Sequence, residues 1–142
     1  MALMISNSEE MTEKIAAELA SSLPLGSMVA LHGNLGCGKT VFARGFARAL
    51  GIDDYVTSPT FTIVQEYPIT DSSRLYHLDL YRISNADDAI AFGIDEFILD
   101  PQAYCLMEWP VRVEELWTKD TVHVYFEHVD EETRSICIKR EI

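Results

Sequence analysis

Apolar positions spaced three or four residues apart predict one helix near the start of the chain and a second one further along. In residues 8–21 these positions are Met11, Ile15, Ala16, Leu19 and Ala20. They fall on one face of a helix, and Ser6 followed by Glu9 has the spacing of a capping box that would begin it. In residues 40–50 a similar apolar face precedes Gly51, which is typical of a helix end.

Shorter apolar or alternating runs predict strands. Residues 27–32 and 103–108 are largely apolar, as strands are when helices cover both faces of a sheet. Residues 61–67 and 74–80 are rich in β-forming side chains and flank a turn predicted over residues 68–73. These two segments are therefore expected to pair as a hairpin.

The rest of the chain predicts a second hairpin and two further helical segments. Residues 84–99 have the composition of a helix that is interrupted at Gly93, and Pro110 favours the start of a short helix. Residues 121–129 and 133–138 alternate around an acidic turn, which predicts an antiparallel pair.

A glycine-rich loop lies between the first predicted strand and the second predicted helix. It reads Gly33-Asn34-Leu35-Gly36-Cys37-Gly38-Lys39-Thr40, which matches G-x-x-x-x-G-K-[ST], the phosphate-binding loop called Walker A. Its first and last glycines allow a tight turn and let the backbone approach phosphate without an intervening Cβ. The backbone N–H groups favour negative charge, Lys39 can reach the β- and γ-phosphates, and the Thr40 hydroxyl can bind Mg²⁺. The motif in this context predicts a nucleotide-binding site.

The length and charge of the chain restrict its partners. Its 142 residues suit a single nucleotide-binding domain over residues 1–142, with little room for a substrate-binding lid. The 23 acidic residues exceed the 11 Lys and Arg residues, which gives a formal charge of −12. Because nucleic-acid affinity comes largely from Lys and Arg contacts to phosphates, we do not expect strong direct binding of RNA or DNA. A basic protein partner is more compatible with this charge, although an acidic surface can also serve solubility alone.

Cysteine usage and hydropathy favour a cytoplasmic protein. Cys37, Cys105 and Cys137 are odd in number and widely spaced, which indicates a reducing compartment rather than a disulfide framework. Cys37 lies near a helix start, where thiol pKa values tend to fall, which allows a redox role, but a small filler residue is favoured. No apolar run approaches the ~18–20 residues that a membrane-spanning helix needs.

Two acidic residues are candidates for the metal side of the nucleotide site. Asp79 and Glu108 each end a predicted strand, where a phosphate-loop protein places the acid that holds Mg²⁺ directly or through water. Residues 103–108 are the more uniformly apolar run, as a central parallel strand should be, so Glu108 is favoured. Either carboxylate can also be a solvated surface charge.

Thr60 and Trp109, near these segments, each allow more than one interpretation. Thr60 lies in the region where a threonine can sense the γ-phosphate, but it can equally cap a proline turn. Trp109 can stack on a base, lie in an interface or pack as a half-buried core residue. The four histidines, His32, His77, His123 and His128, have no metal-ligand spacing, and we assign them no chemistry.

Four blocks of sequence, taken together, resemble the bacterial TsaE family, formerly called YjeE. The blocks are residues 33–40, Ser58-Pro59-Thr60-Phe61-Thr62, His77-Leu78-Asp79-Leu80-Tyr81-Arg82 and Glu108-Trp109-Pro110. The resemblance extends over about residues 6–117. Members of this family are small phosphate-loop ATPases of tRNA threonylcarbamoyladenosine synthesis.

The resemblance implies an α/β fold and a set of functional groups. The fold would be that of a phosphate-loop NTPase, a mixed sheet with a parallel core, antiparallel flanking strands and helices on both faces. ATP or ADP would bind with Mg²⁺, which Thr40 and Glu108 would hold, and Asp79 and Thr60 would act in switching and hydrolysis.

The resemblance also implies partners, namely TsaD and TsaB, which carry out the transfer to the adenosine beside the anticodon. The tRNA would therefore be reached indirectly. Trp109 would lie near the nucleotide or the partner surface. For the base we expect the segment around Thr12, and Arg134, whose guanidinium can stack on adenine.

Three functions remain open from the residues themselves. In a partner-dependent ATPase, hydrolysis would be slow alone, because no arginine finger or water-orienting glutamine is evident. A small-molecule kinase would need an acceptor pocket and an arginine-bearing lid. A GTPase or a non-hydrolysing binding module is the third, but residues 118–121, Thr-Lys-Asp-Thr, place the acid of a guanine-reading motif one residue early.

Overall fold

The computed structural model describes residues 2–34, 37–53, 56 and 63–140. Its strands are β1 (Ala2–Ser6), β2 (Met28–His32), β3 (Val64–Thr70), β4 (Ser73–Asp79), β5 (Ala103–Glu108), β6 (Val122–His128) and β7 (Arg134–Arg140). Its helices are α1 (Glu9–Ser22), α2 (Lys39–Ala49), α3 (Ala86–Ala91) and α4 (Ile94–Ile98), with a 3-10 helix at Pro110–Leu116.

The seven strands form one mixed sheet in the order β1-β7-β6-β2-β5-β4-β3. β2 lies between β5 and β6 and runs parallel to both, and β4 runs parallel to β5. β3, β7 and β1 join the sheet in antiparallel pairs, the first two through the predicted hairpins. The parallel core with antiparallel flanks confirms the predicted fold class.

Helices cover both faces of the sheet, as predicted. On one face α1 and α2 bury Phe42 and Phe46 against Leu31 and other strand residues. On the opposite face α3, α4 and the 3-10 helix pack over Leu78 and Met107. The alternation of side chains along β2 supplies both cores, because successive strand residues point to opposite faces.

Helices α1 and α2 approach each other closely at Gly45. A Cβ built at this glycine would lie 2.5 Å from the backbone oxygen of Glu13 in α1. The absence of a side chain at Gly45 therefore sets the distance between the two helices, and so how α2 lies behind the phosphate loop.

Several sequence predictions differ from the structure in detail. Strand β1 was not predicted, and α1 is capped by Ser8 rather than Ser6. The Ser6 hydroxyl instead bonds the Thr12 hydroxyl at 2.7 Å, because Ser6 still belongs to the strand. The turn predicted over residues 68–73 is present but confined to residues 71–72, since β3 continues to Thr70 and β4 begins at Ser73. Pro68 lies in the edge strand β3, where a missing N–H is tolerated.

The predicted interruption of the helix at Gly93 is confirmed. Gly93 separates α3 from α4 with a φ of 77°, which explains why one helix does not continue through this residue. Residues 54, 55 and 57–62, which include much of the predicted loop and the start of the predicted third strand, lie outside the described residues.

Among the helices that the structure describes, none combines the length and apolar character needed to cross a membrane.

Candidate functional site

The parallel strands bring the candidate residues to one edge of the sheet. The carboxyl ends of β2, β4 and β5 meet there, so the loop after β2 lies beside Asp79 and Glu108, which are paired neighbours on adjacent strands. In open α/β sheets this edge is where ligands bind. The fold therefore collects side chains that are far apart in sequence.

In the described part of the phosphate loop, two glycines have positive φ angles, as a tight turn requires. Gly33 has a φ of 154° and Gly38 a φ of 103°. A Cβ at Gly33 would lie 2.6 Å from Sγ of Cys37, and a Cβ at Gly38 would lie 3.1 Å from the side chain of Arg134. Asn34 accepts a backbone hydrogen bond from Cys37 N–H at 3.3 Å. Leu35 and Gly36 lie outside the described residues.

Lys39 is the first residue of α2, and its side chain is almost fully buried. Nζ donates a hydrogen bond to the Gly33 carbonyl at 2.7 Å and lies 3.9 Å from Oε1 of Glu108. It also lies 5.3 Å from the centre of the Trp109 ring. A buried ammonium needs such partners, and they hold the charge at the mouth of the loop, where a P-loop lysine meets phosphate.

Glu108 joins Lys39 to a buried histidine. Oε2 of Glu108 lies 2.8 Å from Nε2 of His77, whose side chain is fully buried. An ionised carboxylate can only accept, so Nε2 of His77 carries the proton in this pair. Among the described residues, Nδ1 of His77 has no hydrogen-bond partner. The carboxylate thus has one oxygen toward the lysine and the other fixed by the imidazole.

Asp79 is the second acid at this edge. Its Oδ1 accepts a hydrogen bond from the backbone N–H of Tyr81 at 3.0 Å. Burial raises the pKa of this carboxyl, and the negative charge of Glu108 raises it further, while Lys39 and His77 act in the opposite direction. The two carboxylates lie in adjacent, partly desolvated positions, and the metal-side role given to them stays a prediction.

Trp109 turns the chain back over the site. Its φ of 58° is positive, which is uncommon for a residue other than glycine. The turn places its indole near Lys39 and 5.0 Å from the ring of Tyr81, measured between ring centres. The aromatic surface thereby forms one wall of the site.

The remaining predicted site residues lie at different depths around the loop. Thr40 is partly exposed in the first turn of α2, and Arg134, the first residue of β7, lies against Gly38. Thr12 is buried, with its hydroxyl bonded to Ser6 and to the Ser8 carbonyl. Thr60 lies outside the described residues. The roles given to these four residues stay predictions.

Comparison with known proteins identifies the family. The family model described as "Threonylcarbamoyl adenosine biosynthesis protein TsaE" matches residues 6–136. The chain belongs to the TsaE family. Its relatives include the tRNA threonylcarbamoyladenosine biosynthesis proteins TsaE of Bacillus subtilis, 38% identical over 92% of this chain and 79% of the relative, and of Aquifex aeolicus, 37% identical over 97% and 96%.

The structural comparison agrees with the sequence comparison. The crystal structure of Bacillus subtilis YdiB is similar to this chain with a TM-score of 0.83 and 31% identity. The match covers 99% of this chain and 86% of that one. The fold shared with YdiB therefore includes β1 and the C-terminal hairpin, which lie outside the four blocks of the sequence resemblance.

In this TsaE-family chain, the thiol of Cys37 does not have the properties of a redox group. The side chain is buried in the core, and burial raises the pKa of its thiol despite the nearby charge of Lys39. Of the two interpretations that the sequence left open, the structure favours the small filler residue.

Sequence reasoning missed the contacts of three histidines. Besides the pair formed by His77 and Glu108, Nε2 of His32 lies 2.9 Å from Nδ1 of His123, and the His32 ring stacks on Tyr125 with centres 4.4 Å apart. Burial, followed by the charges of His123 and Lys39, lowers the pKa of His32 to about 4. The register between β2 and β6 creates this cluster, and spacing along the chain carries no signal of it.

The candidate metal-binding side chains at the site suit Mg²⁺, which needs few protein donors, better than a metal ion that is coordinated only by protein side chains. No group of three or more His, Cys, Asp or Glu side chains in the described ranges is arranged as a metal cage. Mg²⁺ at phosphate sites takes one or two protein oxygens and completes its coordination with phosphates and water. The hydroxyl of Thr40 and the carboxylate of Glu108 offer that kind of donor.

Proposed function

We propose that this chain binds ATP with Mg²⁺ and hydrolyses it in support of tRNA threonylcarbamoyladenosine biosynthesis. The convergence of Lys39, Glu108 and Gly33 at the carboxyl edge of the sheet carries the proposal. The buried ammonium lies next to a carboxylate at the end of the neighbouring strand. Phosphate-loop ATPases use a lysine on the phosphates and an acid on the metal side, and this arrangement supplies both. The TsaE relatives are named tRNA threonylcarbamoyladenosine biosynthesis proteins, which supports the pathway.

The residues have separate roles in this proposal. The loop from Gly33 to Thr40, which includes Asn34, Leu35, Gly36, Cys37 and Gly38, surrounds the phosphates, and Lys39 stabilises charge on the β- and γ-phosphates. Thr40 and Glu108 would hold Mg²⁺, and the bound ion would supply positive charge beside the phosphates. Arg134 and the segment around Thr12 contact the adenine, and Trp109 lies beside the nucleotide.

Hydrolysis then needs one positioned water. Its oxygen bonds to the γ-phosphorus, the bond from that phosphorus to the β–γ bridging oxygen breaks, and ADP leaves with the electron pair. Asp79, together with Thr60, orients the water. The Asp79 carboxylate lies beside Glu108, and burial raises the pKa of this carboxyl. The proton released by the water passes to phosphate or solvent.

Partners complete the cycle in this proposal. TsaD and TsaB transfer the threonylcarbamoyl group, and the chain acts on them rather than on tRNA. The formal charge of −12 suits a basic protein surface better than a phosphate backbone. The reaction takes place in the cytoplasm, where the three cysteines remain reduced.

Binding and turnover measurements on matched variants test the proposal. Lys39→Ala is expected to weaken ATP binding at least tenfold, and Glu108→Gln to reduce turnover more than binding, with Arg48→Ala as a control far from the loop. Titration with ATP and GTP separates an adenine site from a guanine site. Hydrolysis that stays equally slow with and without TsaD and TsaB would contradict partner activation, and phosphate appearing on a metabolite would indicate a kinase.

A pull-down experiment tests the pathway independently. The tagged chain is expected to recover TsaD and TsaB in a nucleotide-dependent manner, and Lys39→Ala to remove that dependence. Recovery of neither protein with ATP, ADP or no nucleotide would overturn the assignment of partners while leaving the nucleotide site intact.

A further inference from the structure

Arg112 lies beside the candidate site in contact with two aromatic rings. Its Cζ atom is 5.8 Å from the centre of the Trp109 ring and 5.9 Å from that of Tyr81. Cation–π attraction to two rings holds a guanidinium in place. The 3-10 helix that begins directly after Trp109 carries Arg112 to this position.

The charge of Arg112 is not matched by an acid in the described part of the chain. Arg48 lies 2.7 Å from a carboxylate oxygen of Glu13, and Arg74 lies 2.9 Å from one of Asp100. No carboxylate of the described residues comes within ion-pair distance of Arg112, and its Nε is buried without a hydrogen-bond partner among them. In a chain with twice as many acids as bases, this arrangement leaves the guanidinium available for an outside anion.

The donors of Arg112 suit a phosphate. Contact with ring faces does not use the N–H groups of a guanidinium, which lie in its plane and match phosphate oxygens in pairs. The Trp109 ring that holds Arg112 also lies next to Lys39 Nζ, at 5.3 Å from its centre. Two cations of the chain therefore share one ring at the mouth of the phosphate loop.

We propose that Arg112 binds the γ-phosphate of ATP and thereby makes the site prefer ATP to ADP. The proposal rests on the proposed function, because it needs a nucleotide in the loop. Lys39 serves both nucleotides through the β-phosphate, whereas Arg112, held at the same Trp109 ring, adds a contact that only the γ-phosphate of ATP can accept. The chain thus supplies in cis a phosphate-binding arginine that the sequence pattern did not reveal.

Equilibrium titrations of ATP, a non-hydrolysable ATP analogue and ADP, each with Mg²⁺, test this role. Arg112→Ala is expected to lower the affinity for both triphosphates about tenfold or more, as for loss of a charged hydrogen bond, and the affinity for ADP less than about twofold. Arg112→Lys keeps the charge without the paired donors and is expected to lie between Arg112→Ala and the unchanged chain. Arg48→Ala removes the same charge at the far end of α2 and is expected to leave both affinities unchanged.

The outcomes separate this proposal from the one it rests on. If Arg112→Ala lowered the affinities for ATP and ADP equally, Arg112 would act by positioning Trp109, and γ-phosphate binding would be overturned. Unchanged affinities for both nucleotides would also overturn it. If the unchanged chain bound neither nucleotide, the proposed function itself would fail. Thermal unfolding without nucleotide shows whether Arg112→Ala is folded, and Arg112→Lys decides the matter if it is not.

Discussion

The imidazole of His77 fixes one oxygen of Glu108 at 2.8 Å while the other oxygen faces Lys39 at 3.9 Å. All three side chains are buried. A carboxylate held from both sides cannot rotate freely, so the position of the proposed metal-side acid depends on a histidine in the neighbouring strand.

We expect His77→Ala to reduce ATP turnover by about tenfold and to leave ATP affinity nearly unchanged. The variant also loses a buried hydrogen-bond partner, which costs about 1–3 kcal/mol of unfolding free energy. His77→Gln retains an N–H donor and is expected to restore part of the turnover. His128→Ala, at an exposed histidine, serves as the control, and turnover of His77→Ala equal to that of this control would contradict the role.

Trp109 should report nucleotide binding by its fluorescence. Lys39 Nζ now lies 5.3 Å from its ring centre, and ATP is expected to draw that ammonium toward phosphate and change the surroundings of the indole. The chain has two tryptophans, so Trp117→Phe leaves Trp109 as the sole probe. Emission of this variant should change on addition of ATP, whereas Trp109→Phe should respond much less. An equal response from both variants would show that the signal arises elsewhere.

Gly45→Ala is expected to destabilise the protein although alanine is the better helix former. Intrinsic propensity favours alanine by about 1 kcal/mol, but a new Cβ 2.5 Å from the Glu13 oxygen forces the helices apart, at a cost of about 1–3 kcal/mol. Denaturant unfolding measures the difference, with Ala49→Gly, at an exposed position of the same helix, as the control for helix propensity alone. A variant more stable than the parent would show that α1 can shift without loss.

Stability should fall as the pH decreases from about 6.5 to about 4 because of His32. Its pKa is lowered in the folded state to about 4 by burial and by His123 and Lys39, so the unfolded chain binds more protons in this range. The folded protein keeps its full stability above pH 6.5 and loses about 1–2 kcal/mol by pH 4, after allowance for solvent screening.

Substitution of His32 by asparagine tests the source of that pH dependence. The unfolding free energy of His32→Asn should vary less between pH 6.5 and pH 4 than that of the parent. His128→Asn changes an exposed histidine and should leave the slope as it is. Equal slopes for the parent and His32→Asn would assign the effect to other groups.

The sequence predicted the parts of this fold that depend on local pattern. The phosphate loop, the helix after it and both hairpins are local, and their residues follow from periodicity and turn chemistry. Strand β1 was missed because five residues at an edge, with Leu3 and Ile5 exposed, carry little pattern beyond their pairing with β7.

The candidate site was predictable only where a motif or a strand end marked it. Lys39, Asp79 and Glu108 had such marks, and the structure brings them together. His32 and Arg112 had none, and His77, although it begins one of the four blocks, was given no chemistry. The neighbours of these three residues come from strand register and from the left-handed turn at Trp109. Such relationships arise from tertiary structure and are absent from the spacing of residues along one chain.

The strand order has a consequence for how the protein is made. The strand that precedes the phosphate loop, β2, is flanked by β5 and β6, and β1 pairs with β7. These contacts join residues far apart in sequence, which tends to slow folding. After the glycine-rich loop, the ribosome must therefore still synthesise β5 and β6, the strands that flank β2 in the sheet. We expect the loop to bind nucleotide only after those strands have been made and have paired with β2.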